Sequence, residues 1–371
     1  MDSYAKILIL LTGLILGLCA GFIMHRSDYC IAGMFRDVFI FNSWFRLRTL
    51  MLLVVSSMLL FEAARLAGVI PLYPFPLIGF PSLANLIGGF FFGVGMVLAG
   101  GCVVGTLYKL GSGSVPAMVA FAGLIAGSAV YGEVHPWWSS VIGKTILFNG
   151  KATVPQLLGM DPWLPVLLVS LAALCYFYRV YRLGGWTRPS YAEGSLQPWK
   201  AAIMLAAIGT VSVVVIGMPL GITTAYAKIA GCLESIFFTG HFQGLSYFKQ
   251  TVVNYRHQLT GIQLVGGTGL ELDAIALIQF PVITGIIIGS AFSAVQLKEF
   301  KIVANLPLKQ YIAAAVGGLI MGLASRMAPA CNIWHLLGGL PIMAIQSILF
   351  LAGIIPGACL GALFMSRLVI R

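Results

Sequence analysis

Thiols are the groups in this chain whose chemistry and placement stand out. Seven cysteines occur: Cys19, Cys30, Cys102, Cys175, Cys232, Cys331 and Cys359. A thiol can ligate a metal, exchange with a second thiol, or act as a weak, polarizable hydrogen-bond partner. None of the seven forms a C-x-x-C pair, which argues against a zinc site and against a dithiol redox motif. No metal and no cofactor are expected. Two of the cysteines recur in matched surroundings. Gly88-Gly89-x-x-x-Gly93 leads to Ala99 and Cys102, and Gly317-Gly318-x-x-x-Gly322 leads to Ala328 and Cys331. Every matched residue is displaced by the same 229 positions, and Leu107 and Leu336 obey the same shift. Cys30 and Cys232 form a looser pair.

The elements that position these thiols are apolar throughout. Hydrophobic residues make up 59% of the chain and charged residues 9%, against roughly 25% charged in a soluble domain. Such a sequence cannot supply a polar shell, so the chain reads as an all-α integral membrane protein with no soluble domain. A span needs about 20 apolar residues. Nine candidates lie near 7–24, 49–70, 84–99, 115–132, 163–181, 201–219, 273–297, 311–327 and 341–366. The first stretch, with only Lys6 as a basic residue and Leu18 before Cys19, reads as a retained span.

Orientation follows from basic residues. Arg26, Arg36, Arg46 and Arg48 mark segment 26–48. Arg179, Arg182, Arg188 and Lys200 mark 179–200. Lys298, Lys301 and Lys309 mark 298–309, and Arg367 and Arg371 mark the end. Segments 133–161, with the Trp137-Trp138 pair, and 234–273 are balanced in charge. Nine spans then place the N-terminus outside and the C-terminus in the cytoplasm of a bacterial inner membrane. The same positive charge, +11 overall, also suits an anionic substrate.

An odd connecting span makes the second set of four enter the membrane from the opposite side. The expected architecture is one transmembrane domain, 1–371, built of two inverted repeats. Repeat one covers about 1–132, the linker span about 163–181 and repeat two about 201–371. The spans 84–99 and 311–327 are short, and each ends in a break that holds a cysteine. The breaks Ala99-Gly100-Gly101-Cys102 and Ala328-Pro329-Ala330-Cys331 lack the polar residues of a surface turn. Irregular backbone at membrane depth survives only where it lines a cavity or is buried in protein. Short broken or re-entrant helices meeting at the membrane centre are therefore expected, as in many transporters.

At these residues the chain resembles the YeeE/YedE family of sulfur-compound transporters. Gly88 to Gly113, GGFFFGVGMVLAGGCVVGTLYKLGSG, resembles the family's Gly-Gly-Cys block. Arg26 to Asp37, RSDYCIAGMFRD, resembles its other recurring segment, and Gly317 to Asn332, GGLIMGLASRMAPACN, matches more loosely. The resemblance implies uptake of a small sulfur-containing anion, thiosulfate in one branch and a selenium link in another. It implies a narrow path lined by Cys30, Cys102 and Cys331, and a small cytoplasmic TusA-like sulfur carrier as partner. Ala330 stands where glycine is expected before the second-half cysteine.

Thiols suit such a path. A soft anion stripped of water needs replacement donors, and conduction needs sites too weak to trap it. A thiol in apolar surroundings keeps its proton and donates weakly. Cys232, Gly101, Arg326, Asn332 and His335 are further candidates for the path. Arg326 either draws the anion inward or snorkels to the outer interface. His335 is a donor or a packed histidine. Arg26 and Arg36 read first as inside anchors, and Glu62 with Arg65 as a structural pair one helical turn apart. Cys19, Cys175 and Cys359 read as packing residues. The glycine ladders at 13, 17, 21 and at 353, 357, 361 have helix-contact spacing. No nucleotide- or nucleic-acid-binding motif is present. Other substrates, a selenium compound or another sulfur oxyanion, remain open, as does a membrane thiol redox enzyme, which would need paired cysteines.

Overall fold

The computed structural model describes residues 3–70, 72–148, 150–187 and 194–369. Arg188 and Arg371, two of the orienting basic residues, lie outside them. The first half holds α1 (Ser3–Ser27), α2 (Ile31–Phe41), α3 (Phe45–Leu66), α4 (Leu83–Leu98), α5 (Val103–Gly111) and α6 (Val115–Lys144). A short α7 (Val154–Leu158) and the long α8 (Trp163–Arg182) connect the halves. The second half holds α9 (Pro198–Ile216), α10 (Thr223–Phe237), α11 (Thr239–Phe242), α12 (Ala274–Gln296), α13 (Leu308–Met327) and α14 (Ile345–Phe364). Between α13 and α14 runs a π-helical turn, Trp334–Gly339. A hairpin of β1 (Thr251–Arg256) and β2 (Gln263–Gly267) follows α11.

Among the described residues nine segments are long and apolar enough to cross a membrane, in agreement with the nine expected. Two of these contain breaks: Tyr4–Phe41 includes α1 and α2, and Leu83–Gly111 includes α4 and α5. Three features depart from expectation. Helix α6 runs on to Lys144 rather than ending near 132, so Trp137 and Trp138 belong to a helix. Pro136 lies inside it, and Trp138 anchors the extension by donating to the Met327 carbonyl at 2.9 Å. Helices α2 and α10 fall in stretches read as loop or left unassigned, because each is too short and amphiphilic to register as a span. The hairpin buries Val253 and Tyr255 in strict alternation on one face.

Helices touch backbone to backbone, and the contacts come in matched pairs. A methyl group at Gly89 of α4 would stand 2.2 Å from the Phe350 carbonyl oxygen of α14. One at Gly318 of α13 would stand 2.2 Å from the Ala120 oxygen of α6. Gly93 and Gly322 repeat the relation against Ile354 and Leu124. Gly88 lies against Ala324 and Ala328, and Gly95 against Gly317 and Met321, so α4 and α13 run antiparallel. The ladder at 13, 17 and 21 packs α1 on α12, with Gly21 against Ile286, and the ladder at 353, 357 and 361 packs α14 on α4. In lipid, where apolar burial between helices gains little, such close contact is the source of association.

Gly89→Ala and Gly318→Ala should therefore weaken the bundle to a similar degree, by about 2 kcal/mol each, since the opposing atoms are backbone and cannot step aside. Thermal unfolding followed by size-exclusion chromatography in detergent reads this. A midpoint equal to that of the unaltered protein for either variant would contradict the contact.

Candidate functional site

Each of four short helical segments begins at a buried residue. Cys30 is the N-cap of α2 and is 2% exposed. Cys102 is the N-cap of α5 and fully buried, and its sulfur accepts from the Gly105 N–H at 3.3 Å. Ile222 precedes α10. Cys331 precedes the turn that leads into the π-helix, and its carbonyl accepts from the His335 N–H at 3.0 Å. The first peptide N–H groups of a helix have no partner within it, and the helix dipole adds partial positive charge there. Short helices starting at depth therefore bring donors where water does not reach.

Two thiols meet, and the third lies next to a residue that faces one of them. The sulfurs of Cys30 and Cys102 flank Gly105: a methyl group there would stand 3.0 Å from one and 3.4 Å from the other. Glycine is what allows both to approach. The Cys30 and Cys102 side chains are in contact, and Cys102 also faces the Asn332 side chain. The Cys331 sulfur faces the backbone N–H groups of Ile222, Ile333 and Trp334. Asn332 is fully buried, and neither its Oδ1 nor its Nδ2 has a well-formed hydrogen bond. The Tyr226 hydroxyl, in the first turn of α10, is likewise buried and unpartnered and lies within electrostatic reach of Cys102 and Cys331. Gly101 holds the break tight, its Cα facing the Gly105 and Thr106 backbone.

Beyond Cys331 opens a cavity of about 210 Å³ lined by Arg326, Thr223, Thr224, Gln250, His135 and Trp334 among others. Arg326 does not snorkel. It is 7% exposed, and its guanidinium donates to the hydroxyls of Thr223 and Thr224. Its Nε has no partner, and it makes no ion pair among the described residues. A buried cation without a counterion is costly unless an anion visits it.

On the other side of the thiols lies Lys109, whose ammonium donates to the Gly100 carbonyl at 2.5 Å and lies within electrostatic reach of Cys30. Below it Tyr108 donates to Asp28 at 3.0 Å, and Arg46 pairs with Asp28 at 2.7 Å and Asp37 at 3.4 Å. Lys109, Thr223, Thr224, Tyr226 and Gln250 were not singled out from sequence. Lys109 carried a readable signal, being a charge within an apolar Gly-rich block.

The remaining candidates are placed elsewhere. Cys232 is exposed, ten residues into α10. Ile222, not Cys232, precedes α10, as Cys30 precedes α2. The looser pairing of Cys30 with Cys232 therefore does not hold in three dimensions. His335 is a packed histidine: its ring stacks on Phe350 at 4.1 Å and Nδ1 bonds the Ser347 hydroxyl at 2.9 Å. Arg26 bonds Gln296 and the Gly194 carbonyl, and Arg36 pairs with Asp37. Glu62 and Arg65 form the expected pair at 2.6 Å, joined by Asp161. Cys19 and Cys175 are exposed on helix surfaces, and Cys359 is half-buried.

Comparison with known proteins agrees with the resemblance. The sequence model of a family described as Sulphur transport matches residues 26–360. A protein of Spirochaeta thermophila named thiosulfate transporter TsuA is 28% identical over 356 residues, covering 91% of this chain and 93% of that one. The Escherichia coli protein of the same name is 26% identical over 332 residues, covering 87% and 85%. A probable transporter YedE of Escherichia coli is 31% identical over 137 residues, covering 36% and 28%.

The departure at Ala330 has a structural cost. Its φ of 135° lies in the region that favours glycine. Ala330→Gly should relieve about 1 kcal/mol of backbone strain and raise the thermal midpoint. A lowered midpoint would show that the methyl group packs better than the backbone is strained.

Proposed function

We propose, on the premise that this chain belongs to the Sulphur transport family, that it imports a small sulfur-containing anion, thiosulfate foremost, across a bacterial inner membrane. It is a multi-pass membrane transporter. The relatives covering most of its length are named thiosulfate transporters. The observation that carries the proposal is the set of buried thiols, Cys30 against Cys102 and Cys102 facing Asn332 beside Cys331, at the floor of a cavity that holds a guanidinium with no counterion among the described residues.

The anion enters the cavity and meets Arg326, Thr223 and Thr224. It sheds water there in exchange for charged and hydroxyl donors, which offsets the desolvation cost. It then passes Cys331, where three backbone N–H groups converge, and moves along Cys102 and Cys30 with Asn332 and Tyr226 at their side. Each thiol donates weakly to the soft terminal sulfur, so no site holds the ion firmly. Lys109 draws it onward. The two halves, 3–144 and 198–369, act as inverted repeats around α8, which is how four helix starts come to face one another. On the positive-inside reading, Lys109 is on the cytoplasmic side and the cavity outside, with the N-terminus outside and the C-terminus inside. A TusA-like carrier in the cytoplasm takes up the product.

Uptake of radiolabelled thiosulfate by cells lacking their own sulfur-anion importers tests this at matched membrane expression. Cys102→Ala should lower uptake at least roughly tenfold. Arg326→Gln should raise the half-saturation concentration by roughly tenfold, the loss of one charge-assisted hydrogen bond. Cys232→Ala should change neither. Absence of uptake by well-expressed unaltered protein removes the thiosulfate assignment and directs the assay to sulfite and selenium compounds.

A further inference from the structure

The matched halves differ at one place where the difference has chemical content. Helix α4 stops at Leu98, so beyond its end it no longer fills the space between α13 and α14. They flank an open apolar groove of about 430 Å³, lined by Leu98, Ala313, Val316, Phe364 and Leu368, with Lys309 as its one charged residue among the described residues. The counterpart across the matched contacts is not open. Residues 229 positions away from Leu98 and Ala313, namely Met327 and Ala84, and those 230 away from Phe364 and Leu368, namely Val134 and Trp138, belong to a packed cluster. Trp138 and the side chains of Leu245, Tyr247 and Phe248 fill that side. The filling segment follows α10. Its counterpart after α2 is a connection of three residues, Asn42 to Trp44, which supplies no such side chains.

The groove has the dimensions and polarity of a lipid site. From Lys309 to Ile320, both lining residues, α13 rises about 16 Å. One leaflet's hydrocarbon is about 15 Å deep. Lys309 is exposed at the mouth and makes no ion pair among the described residues, and the exposed Arg367 lies on the same turn as Leu368. A cation at the mouth of an apolar slot one leaflet deep complements an anionic headgroup with its chain.

We propose that this groove holds an acyl chain of an anionic glycerophospholipid, with its phosphate at Lys309, in place of the protein segment that fills the matched side. The chain packs against Leu98, the last residue of α4, and so braces the Ala99–Cys102 break. The site is independent of which anion the protein carries.

The test uses full-length protein purified in mild detergent and stripped of lipid. Native mass spectra after adding phosphatidylglycerol should show one retained molecule per chain. The thermal midpoint should rise by several degrees with phosphatidylglycerol and less with phosphatidylcholine. Lys309→Gln should level the two lipids. Val316→Trp, which fills the slot from an exposed position, should abolish both adduct and shift. Ile312→Trp, also exposed, serves if that variant does not fold. Equal shifts in the unaltered protein and the filled variants would overturn the proposal. So would a dimer by light scattering that the filled variants dissociate, which would assign the face to a second copy.

Discussion

A helix that stops halfway through a bilayer leaves peptide groups that water cannot reach, and lipid offers them nothing. This chain interrupts its helices repeatedly, and new helical segments begin at buried Cys30, Cys102, Ile222 and Cys331. Everything around those points has to exclude lipid from them. The glycine contacts serve that end. With Gly88, Gly89 and Gly93 on one side and Gly317, Gly318 and Gly322 on the other, α4 and α13 sink into their neighbours until backbone meets backbone. The breaks are then enclosed by protein, and N–H groups at the helix starts meet the thiol sulfurs rather than acyl chains.

Enclosure also explains the choice of side chains at the breaks. On the proposed path, a carboxylate would cancel the positive helix starts, and lysine or arginine at each would bind an anion too firmly to release it. Thiols are small, neutral and weakly donating. The two cations are held back to either side, Arg326 by the cavity and Lys109 beyond Cys30. Each is tied to neutral oxygen: threonine hydroxyls in one case, a backbone carbonyl in the other. Their charge stays uncancelled.

Much of this was legible in the sequence because it is written in glycine and cysteine at a fixed displacement. Cys102 and Cys331 announce matched breaks, and runs of about 20 apolar residues give the nine spans. Helices α2 and α10 were not legible, because an amphiphilic run of that length buried by neighbours has no window of its own. Cys232 misled for a related reason: the displacement that governs α4 and α13 does not extend to α10, and the residue that precedes α10 is an isoleucine with no chemical signature. The end of α6 was masked by Pro136 and a tryptophan pair that resembles an interfacial loop. Only the tertiary bond from Trp138 to Met327 settles it. Arg326 was visible as a charge near a break, but whether it turned inward depended on Thr223 and Thr224, more than a hundred residues away in sequence.

The π-helical turn at Trp334–Gly339 bears on how the two halves keep step. Up to Cys331 the matched residues are 229 positions apart, and from the start of α14 onward they are 230 apart, as with Ala120 and Phe350. One residue has been gained in between. A π turn closes its hydrogen bonds over one residue more than an α turn, so it takes up the surplus within its own coil. The turn is a length adjuster. The second half thereby carries one residue more between its thiol and the α14 ladder, and α14 keeps its grip on α4.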